Sequence, residues 1–281
     1  MLAQVQDVAA SPTLRRDIRT LAQPRMLSAA WQRLLSVFEA ADAQWRDPRY
    51  DAGWKPLAAV LALTGLCLFG IHYLKYASTL LAVIDALAGA DAVRAFRTSP
   101  WSELLSHLWW GAVHLIGYVL VPAWFVCRVW RRPLADFGLG WGDTTRWLPA
   151  CAAMVAVIGV FAYIASHTQS FQHTYPFYSA AGRSWLDLLL WQLIYLAQFV
   201  MLEFFFRGFL LHALAPRFGA GAIFVMVVPY LMIHFPKPWA EAFGALPFGI
   251  LLGVIALRSR SIWGGALVHM GIALSMDLMS L

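Results

Sequence analysis

Charged residues are scarce in this sequence. Asp, Glu, Lys and Arg make up 13% of the 281 residues, whereas hydrophobic residues make up 60%. Soluble domains are about 25% charged and about 45–50% apolar, so this composition excludes that class and indicates an integral membrane protein. The net charge of +6 does not indicate nucleic-acid binding, because the basic residues stand between apolar runs, where they act as orientation signals.

Cysteine is also scarce. The three cysteines, Cys67, Cys127 and Cys151, lie in or beside apolar runs and form no Cys-x-x-Cys pair. This spacing excludes a disulfide framework and a thiolate zinc site. The N-terminal residues are polar, so we expect no cleavable signal peptide.

Long apolar runs dominate the rest of the chain. A span of the hydrocarbon core needs about 20 mainly apolar residues. We therefore predict an all-α, polytopic membrane helix bundle of about seven spans. Residues 79–93 are interrupted by Asp85, Gly89 and Asp91, which favours an interfacial helix there. The predicted spans lie near residues 56–75, 103–127, 147–166, 186–213, 221–235, 240–257 and 262–280.

The first 54 residues form a separate basic region, and residues 55–281 form the predicted transmembrane domain. Apolar residues recur at helical spacing between Met26 and Trp45, which predicts an amphipathic helix on the membrane surface or against the bundle. A solvated helical tail is the alternative. Arginines also follow the second, fourth and sixth spans, so the positive-inside rule predicts a cytoplasmic N-terminus. We expect a multi-pass protein of a bacterial inner membrane.

Ionisable residues inside the late spans are the candidate functional groups. Each charge at a bilayer centre costs about 2.5–3.5 kcal/mol on insertion scales, and such groups mark functional sites by default. Glu203 and Arg207 are four residues apart, on one helix face. His234 and His269 follow on later spans, while Glu241, Asp277 and Lys237 are secondary candidates. The alternative is a structural ion pair with two satisfied core histidines.

A carboxylate and two imidazoles suit the activation of a water molecule. With zinc, Glu203, His234 and His269 would supply three ligands and leave a fourth position for water. Without metal, the carboxylate would act as the base and the imidazoles would stabilise the oxyanion. The cofactor is therefore expected to be zinc or none.

These motifs resemble those of the CAAX prenyl protease 2 and bacteriocin-processing family of intramembrane proteases. Glu203 and Arg207, followed by "GFLL", are similar to its Glu-Glu-x-x-x-Arg motif. Tyr230 with His234 resembles an aromatic-x-x-x-His motif, and His269 begins a third motif, His-x-x-x-Asn. The resemblance covers about residues 100–280. It implies an endopeptidase that hydrolyses a peptide or membrane-anchored protein at the membrane, with these residues in the site.

Two positions depart from the family pattern. Leu202 stands where the family has its first Glu, the residue usually assigned as the water-activating base, and Ala273 stands in place of an oxyanion-stabilising Asn. Adjacent helical residues point about 100° apart, so Glu203 cannot replace position 202 without rotation or a local kink. The chain is either a divergent active protease or a catalytically silent, scaffold- or immunity-type membrane protein.

Overall fold

The computed structural model describes residues 29–47 and 53–280. These residues form ten helices and no strand, which confirms the all-α prediction. In chain order the helices are α1 Ala29–Trp45, α2 Trp54–Leu74, α3 Ala77–Thr98, α4 Ser102–Val129, α5 Thr144–Ser166, α6 Gln169–Thr174, α7 Trp185–Phe218, α8 Gly221–Met232, α9 Trp239–Ser259 and α10 Trp263–Leu278.

Five of the described helices, α2, α4, α5, α7 and α9, are long and apolar enough to cross a membrane. They coincide with five of the predicted spans, and a polytopic helical bundle fits them. The other two predicted spans correspond to shorter helices, α8 with 12 residues and α10 with 16. The orientation of the N-terminus stays a prediction.

The helix predicted at residues 79–93 is longer, because α3 runs from Ala77 to Thr98. It is not among the long apolar helices. Gly89 interrupts it with a φ of 82°, a left-handed conformation that glycine adopts without steric penalty.

Contacts divide the chain into two units, Met1–Ala40 and Ala41–Leu281. The described part of the first unit is residues 29–40, within α1; Met26 to Ser28 of the predicted amphipathic helix lie outside the described residues. In the second unit, the end of α1 is bonded to the bundle. Trp45 donates its indole N–H to the carbonyl of Leu257 at 2.8 Å, and Asp42 accepts the backbone N–H of Ala220 at 3.0 Å.

A π-helical segment interrupts α7 immediately after Glu203. It runs from Phe204 to Leu211 and is fully buried. A π turn bonds residue i to i+5, so it rotates the residues that follow relative to a regular α-helix; such segments are frequent at functional sites. Arg207 lies inside it, while Leu202 and Glu203 precede it on the regular α part.

Glycines on α9 allow α8 to approach closely. A Cβ added at Gly249 would lie 2.8 Å from the ring of Tyr230, and one at Gly253 would lie 2.9 Å from Ile223. Small residues at such crossings permit the tight packing that holds membrane helices together. This contact positions Tyr230 and, one turn later, His234.

Candidate active site

A large cavity of about 1540 Å³ lies within the second unit. Most of its surface is apolar, and α2, α4, α5, α7, α8, α9 and α10 all contribute to its wall. The ionisable and hydrogen-bonding residues that line it are His72, Tyr73, Lys75, Tyr76, Ser106, His107, His114, Tyr118, Thr168, Ser170, Tyr175, Tyr195, Gln198, Tyr230, His234, Lys237, Glu241 and His269.

Glu203, Arg207 and His269 form a buried cluster behind this wall. Arg207 Nη1 lies 2.8 Å from Glu203 Oε1, and His269 Nδ1 lies 2.9 Å from the same oxygen. Both charged side chains are 0% exposed. Arg207 also lies 4.1 Å above the ring of Tyr230 and is 3.5 Å from the carbonyl of Gly249. The carboxylate and guanidinium compensate each other's charge, which a buried ion needs.

Gly265 of α10 makes room for the Glu203 carboxylate. A Cβ at this position would lie within 3.0 Å of Glu203 Oε2, a separation that real Cβ atoms essentially never show. Glu203 therefore points at the α10 backbone and is not part of the cavity wall, whereas its neighbour Leu202 is. Ala273, the other departure from the family motifs, also lines the cavity.

His269 connects the buried cluster to the cavity. The Tyr230 hydroxyl is 3.0 Å from His269 Nε2. Nδ1 lies within ion-pair distance of the Glu203 carboxylate but makes no hydrogen bond to it. Phe199 stacks on the imidazole and Phe248 meets it edge-on. The hydrogen bond at Nε2 and the two aromatic contacts hold the ring in place.

His234 presents a free nitrogen to the cavity. Its Nδ1 is 2.7 Å from the backbone carbonyl of Tyr230. A carbonyl accepts only, so Nδ1 carries the proton and Nε2 holds the lone pair in the neutral ring. His234 lines the cavity, and its ring lies 4.7 Å from that of Tyr230. This arrangement leaves Nε2 of His234 without a hydrogen-bond partner among the described residues.

Lys237 and Glu241 form a second polar group around Tyr175. The Tyr175 hydroxyl is 3.1 Å from both Glu241 oxygens, and Lys237 Nζ is 3.0 Å from this hydroxyl and 3.6 Å from Glu241 Oε1. Burial, followed by the Glu241 charge, raises the pKa of Tyr175 well above its usual value. Lys237 and Glu241, two of the three secondary candidates, line the cavity.

Asp277 has a different place. It is fully buried and accepts hydrogen bonds from the indole of Trp191, at 2.8 Å, and from the amide of Gln192. These bonds tie α10 to α7, and Asp277 is not part of the cavity wall. The structure thus joins Glu203, Arg207 and His269 in one cluster, puts His234, Lys237 and Glu241 in the cavity, and separates Asp277 from both.

Three further polar side chains in the wall were not singled out as site residues from the sequence. Tyr118 and His114 of α4 and Gln198 of α7 are buried and line the cavity. The Tyr118 hydroxyl and the Gln198 amide make no hydrogen bond to any other described side chain or backbone group. Polar groups on apolar spans were the available signal, and His114 is a satisfied core group. It is bonded through Nδ1 to the carbonyl of Trp110 at 2.7 Å.

The proposed zinc ligands do not fit a zinc ion in this arrangement. Among residues 29–47 and 53–280, no three His, Cys, Asp or Glu side chains are grouped to hold a metal ion. His269 Nδ1 lies beside the Glu203 carboxylate, and its Nε2 is hydrogen-bonded to Tyr230. A zinc site needs convergent, unprotonated donors.

We expect Tyr230→Phe to loosen His269 without unfolding the protein. The change removes only the hydroxyl at 3.0 Å from Nε2 and keeps the ring under Arg207. One neutral hydrogen bond contributes about 0.5–1.5 kcal/mol. The free energy of unfolding in detergent should fall by that amount. Tyr73→Phe, at an exposed cavity position, is the control. A loss equal to that of the control would contradict the assigned hydrogen bond.

The helices, the enclosed cavity and its ionisable residues define a polytopic helical membrane protein with a polar site inside the bundle. Residues 183–275 match the family model described as type II CAAX prenyl endopeptidase Rce1-like. This region holds the three motifs, and the match supports the resemblance to the CAAX prenyl protease 2 and bacteriocin-processing family. That family indicates an enzyme of the protease type. No curated protein and no solved structure matches the chain.

Proposed function

We propose that this protein is an intramembrane endopeptidase that binds a membrane-anchored peptide in the cavity and activates water with His234. The observation that carries the proposal is the free Nε2 of His234 in the cavity wall, within the family match. A general base must reach the proton that it removes, and Nε2 holds a lone pair in the neutral ring.

The reaction needs no group beyond the chain and water. Nε2 of His234 takes a proton from water while the water oxygen forms a bond to the scissile carbonyl carbon. The resulting imidazolium then gives its proton to the amide nitrogen as the carbon–nitrogen bond breaks. The hydroxyl of Tyr118 and the amide of Gln198 supply hydrogen-bond donors to the cavity, where the oxyanion forms.

Glu203 has a supporting role in this proposal. Its carboxylate is paired with Arg207 and His269 and lies behind the cavity wall. Glu203 therefore holds Arg207 and His269 in place on either side of Tyr230, and it does not contact the water that is activated. Arg207 acts through its fork on Glu203, as the four-residue spacing suggested. We propose the metal-free form of the chemistry.

A catalytically silent binding protein is the second candidate. The observation that favours it is the position of Leu202, which turns an apolar side chain into the cavity where the family has its usual base. Ala273 likewise brings no polar group. In that case the cavity retains its capacity to hold an apolar peptide segment, while hydrolysis is lost.

The test uses the purified protein in proteoliposomes with an internally quenched, farnesylated peptide that ends in a CAAX tetrapeptide. The wild type should cleave it, and His234→Ala should lower the rate at least about 10²-fold, the usual contribution of a general base. His173→Ala is the matched control, because this histidine is exposed and does not line the cavity. The thermal unfolding midpoint of each variant shows whether it is folded.

The outcomes separate the two candidates. Cleavage that survives in His234→Ala excludes the proposed base. Retention of the peptide by the wild type without cleavage, shown by co-elution in detergent, supports the silent binding protein. Loss of cleavage in His173→Ala as well would show that the effect of His234→Ala is not specific to a histidine in the cavity wall.

A further inference from the structure

Two lysines lie in the cavity wall outside the catalytic groups. Lys75 is in the two-residue connection between α2 and α3, and Lys237 is in the connection between α8 and α9. The side chain of Lys237 is 25% exposed and is held by Tyr175, Glu241 and the ring of Phe177, at 4.1 Å. Burial lowers the pKa of the Lys237 ammonium, Glu241 raises it in part, and the positive charge of Lys75 adds a smaller lowering effect.

The cavity wall has an excess of positive charge. Glu241 is the one carboxylate that lines it, and this residue is already bonded to Tyr175 and paired with Lys237. Lys75 has no carboxylate within ion-pair distance in the described part of the chain, and its ammonium contacts only the ring of Tyr76, at 5.5 Å. Burial lowers its pKa as well. An anion placed beside Lys75 would therefore meet an uncompensated charge.

The apolar part of the cavity reaches the outer surface of the bundle. Phe69 of α2 and Phe161 and Ile164 of α5 line the cavity and are also exposed, at 61%, 66% and 61%. Both helices are long and apolar enough to span a membrane, so we expect these exposed side chains to face hydrocarbon. The volume of about 1540 Å³ exceeds the roughly 300–1,000 Å³ of a small-molecule pocket. A long acyl chain can enter from the membrane between α2 and α5.

We propose that the cavity binds an anionic phospholipid, with its phosphate beside Lys75 and Lys237 and its acyl chains along the apolar wall. Basic pockets between membrane helices bind acidic lipid headgroups in this way. The charge excess selects an acidic headgroup, and the opening toward hydrocarbon selects a lipid over a soluble anion. Lys75 lies outside the family match at residues 183–275 and Lys237 lies within it, so the headgroup site combines residues from both parts of the chain.

Native mass spectrometry of the purified full chain tests the site. The protein is mixed with equal amounts of dioleoyl-phosphatidylglycerol and dioleoyl-phosphatidylcholine, which share their acyl chains and differ in net charge. Wild type should retain phosphatidylglycerol in preference, and Lys75→Gln should reduce that preference about fivefold, since one Lys contributes about 1 kcal/mol near an anionic headgroup. Lys75→Arg should keep it.

Lys55→Gln is the matched control, because this exposed lysine is at the opposite end of α2 and outside the cavity wall. It should behave as wild type. Equal retention of the two lipids by wild type overturns the proposal, as does an equal effect of Lys75→Gln and Lys55→Gln. A third outcome also overturns it: Lys75→Gln weakens binding of an apolar peptide with a free C-terminal carboxylate and leaves lipid retention unchanged. The ligand is then a peptide.

Discussion

Replacement of Arg207 by Met should lower the free energy of unfolding by about 3–5 kcal/mol, because it leaves the Glu203 carboxylate buried without its counter-ion. Both side chains are 0% exposed and lie 2.8 Å apart, so no solvent relieves the charge. Arg207→Lys should lose part of the same stability, since a point charge cannot replace the planar fork that also covers the ring of Tyr230. Equilibrium unfolding in mixed detergent micelles measures these losses.

A double variant distinguishes the ion pair from simple loss of side-chain volume. Glu203→Gln combined with Arg207→Met removes both charges and keeps an acceptor for His269 Nδ1. It should recover most of the stability, because neutral replacements of a buried pair are tolerated far better than half of one. Arg94→Met, in an exposed pair with Asp91, is the control and should change little. A double variant as unstable as Arg207→Met would contradict the pairing role.

The membrane fold was largely predictable, because a hydrocarbon environment requires long apolar helices. Five predicted spans were confirmed within a few residues of their observed ends. The π segments in α4 and α7 were not predictable. They depend on tertiary packing and leave no periodic signal in the apolar runs that contain them. α8 ends at Met232 and α10 ends at Leu278, whereas the apolar runs that predicted these spans continue for a few residues beyond each end.

The sequence indicated candidate site residues but not the directions of their side chains. The four-residue spacing put Glu203 and Arg207 on one helix face, and the structure places their charged groups 2.8 Å apart. Which of two adjacent side chains, Leu202 or Glu203, faces the cavity depends on how α7 is rotated against α10. The missing side chain at Gly265 leaves room for the Glu203 carboxylate against α10. The sequence does not show which side chain of another helix will fill the room beside a glycine in an apolar run.

Lys75 and Tyr118 illustrate the same limit for residues far apart in sequence. Each comes from the part of the chain before the family match and reaches the cavity only through the packing of α2 and α4 around α7. Local patterns carry no information about which distant span will be a neighbour. Polar groups on an apolar helix are worth examining for that reason, because burial requires each of them to find a partner or an enclosed polar space.

Leu202→Glu should add the family's usual base to the cavity and raise the rate of cleavage. Position 202 lines the cavity, as do His234 and His269, so the new carboxylate would enter the space where water is activated. Cleavage of the farnesylated, quenched CAAX peptide should rise at least about 10²-fold above that of Leu202→Gln, which has the same shape without the base. Gly265 keeps Glu203 turned toward α10, so the two carboxylates do not compete for one place. Equal rates for the Glu and Gln variants, with wild-type unfolding midpoints, would show that the cavity geometry around position 202 is not that of an active site.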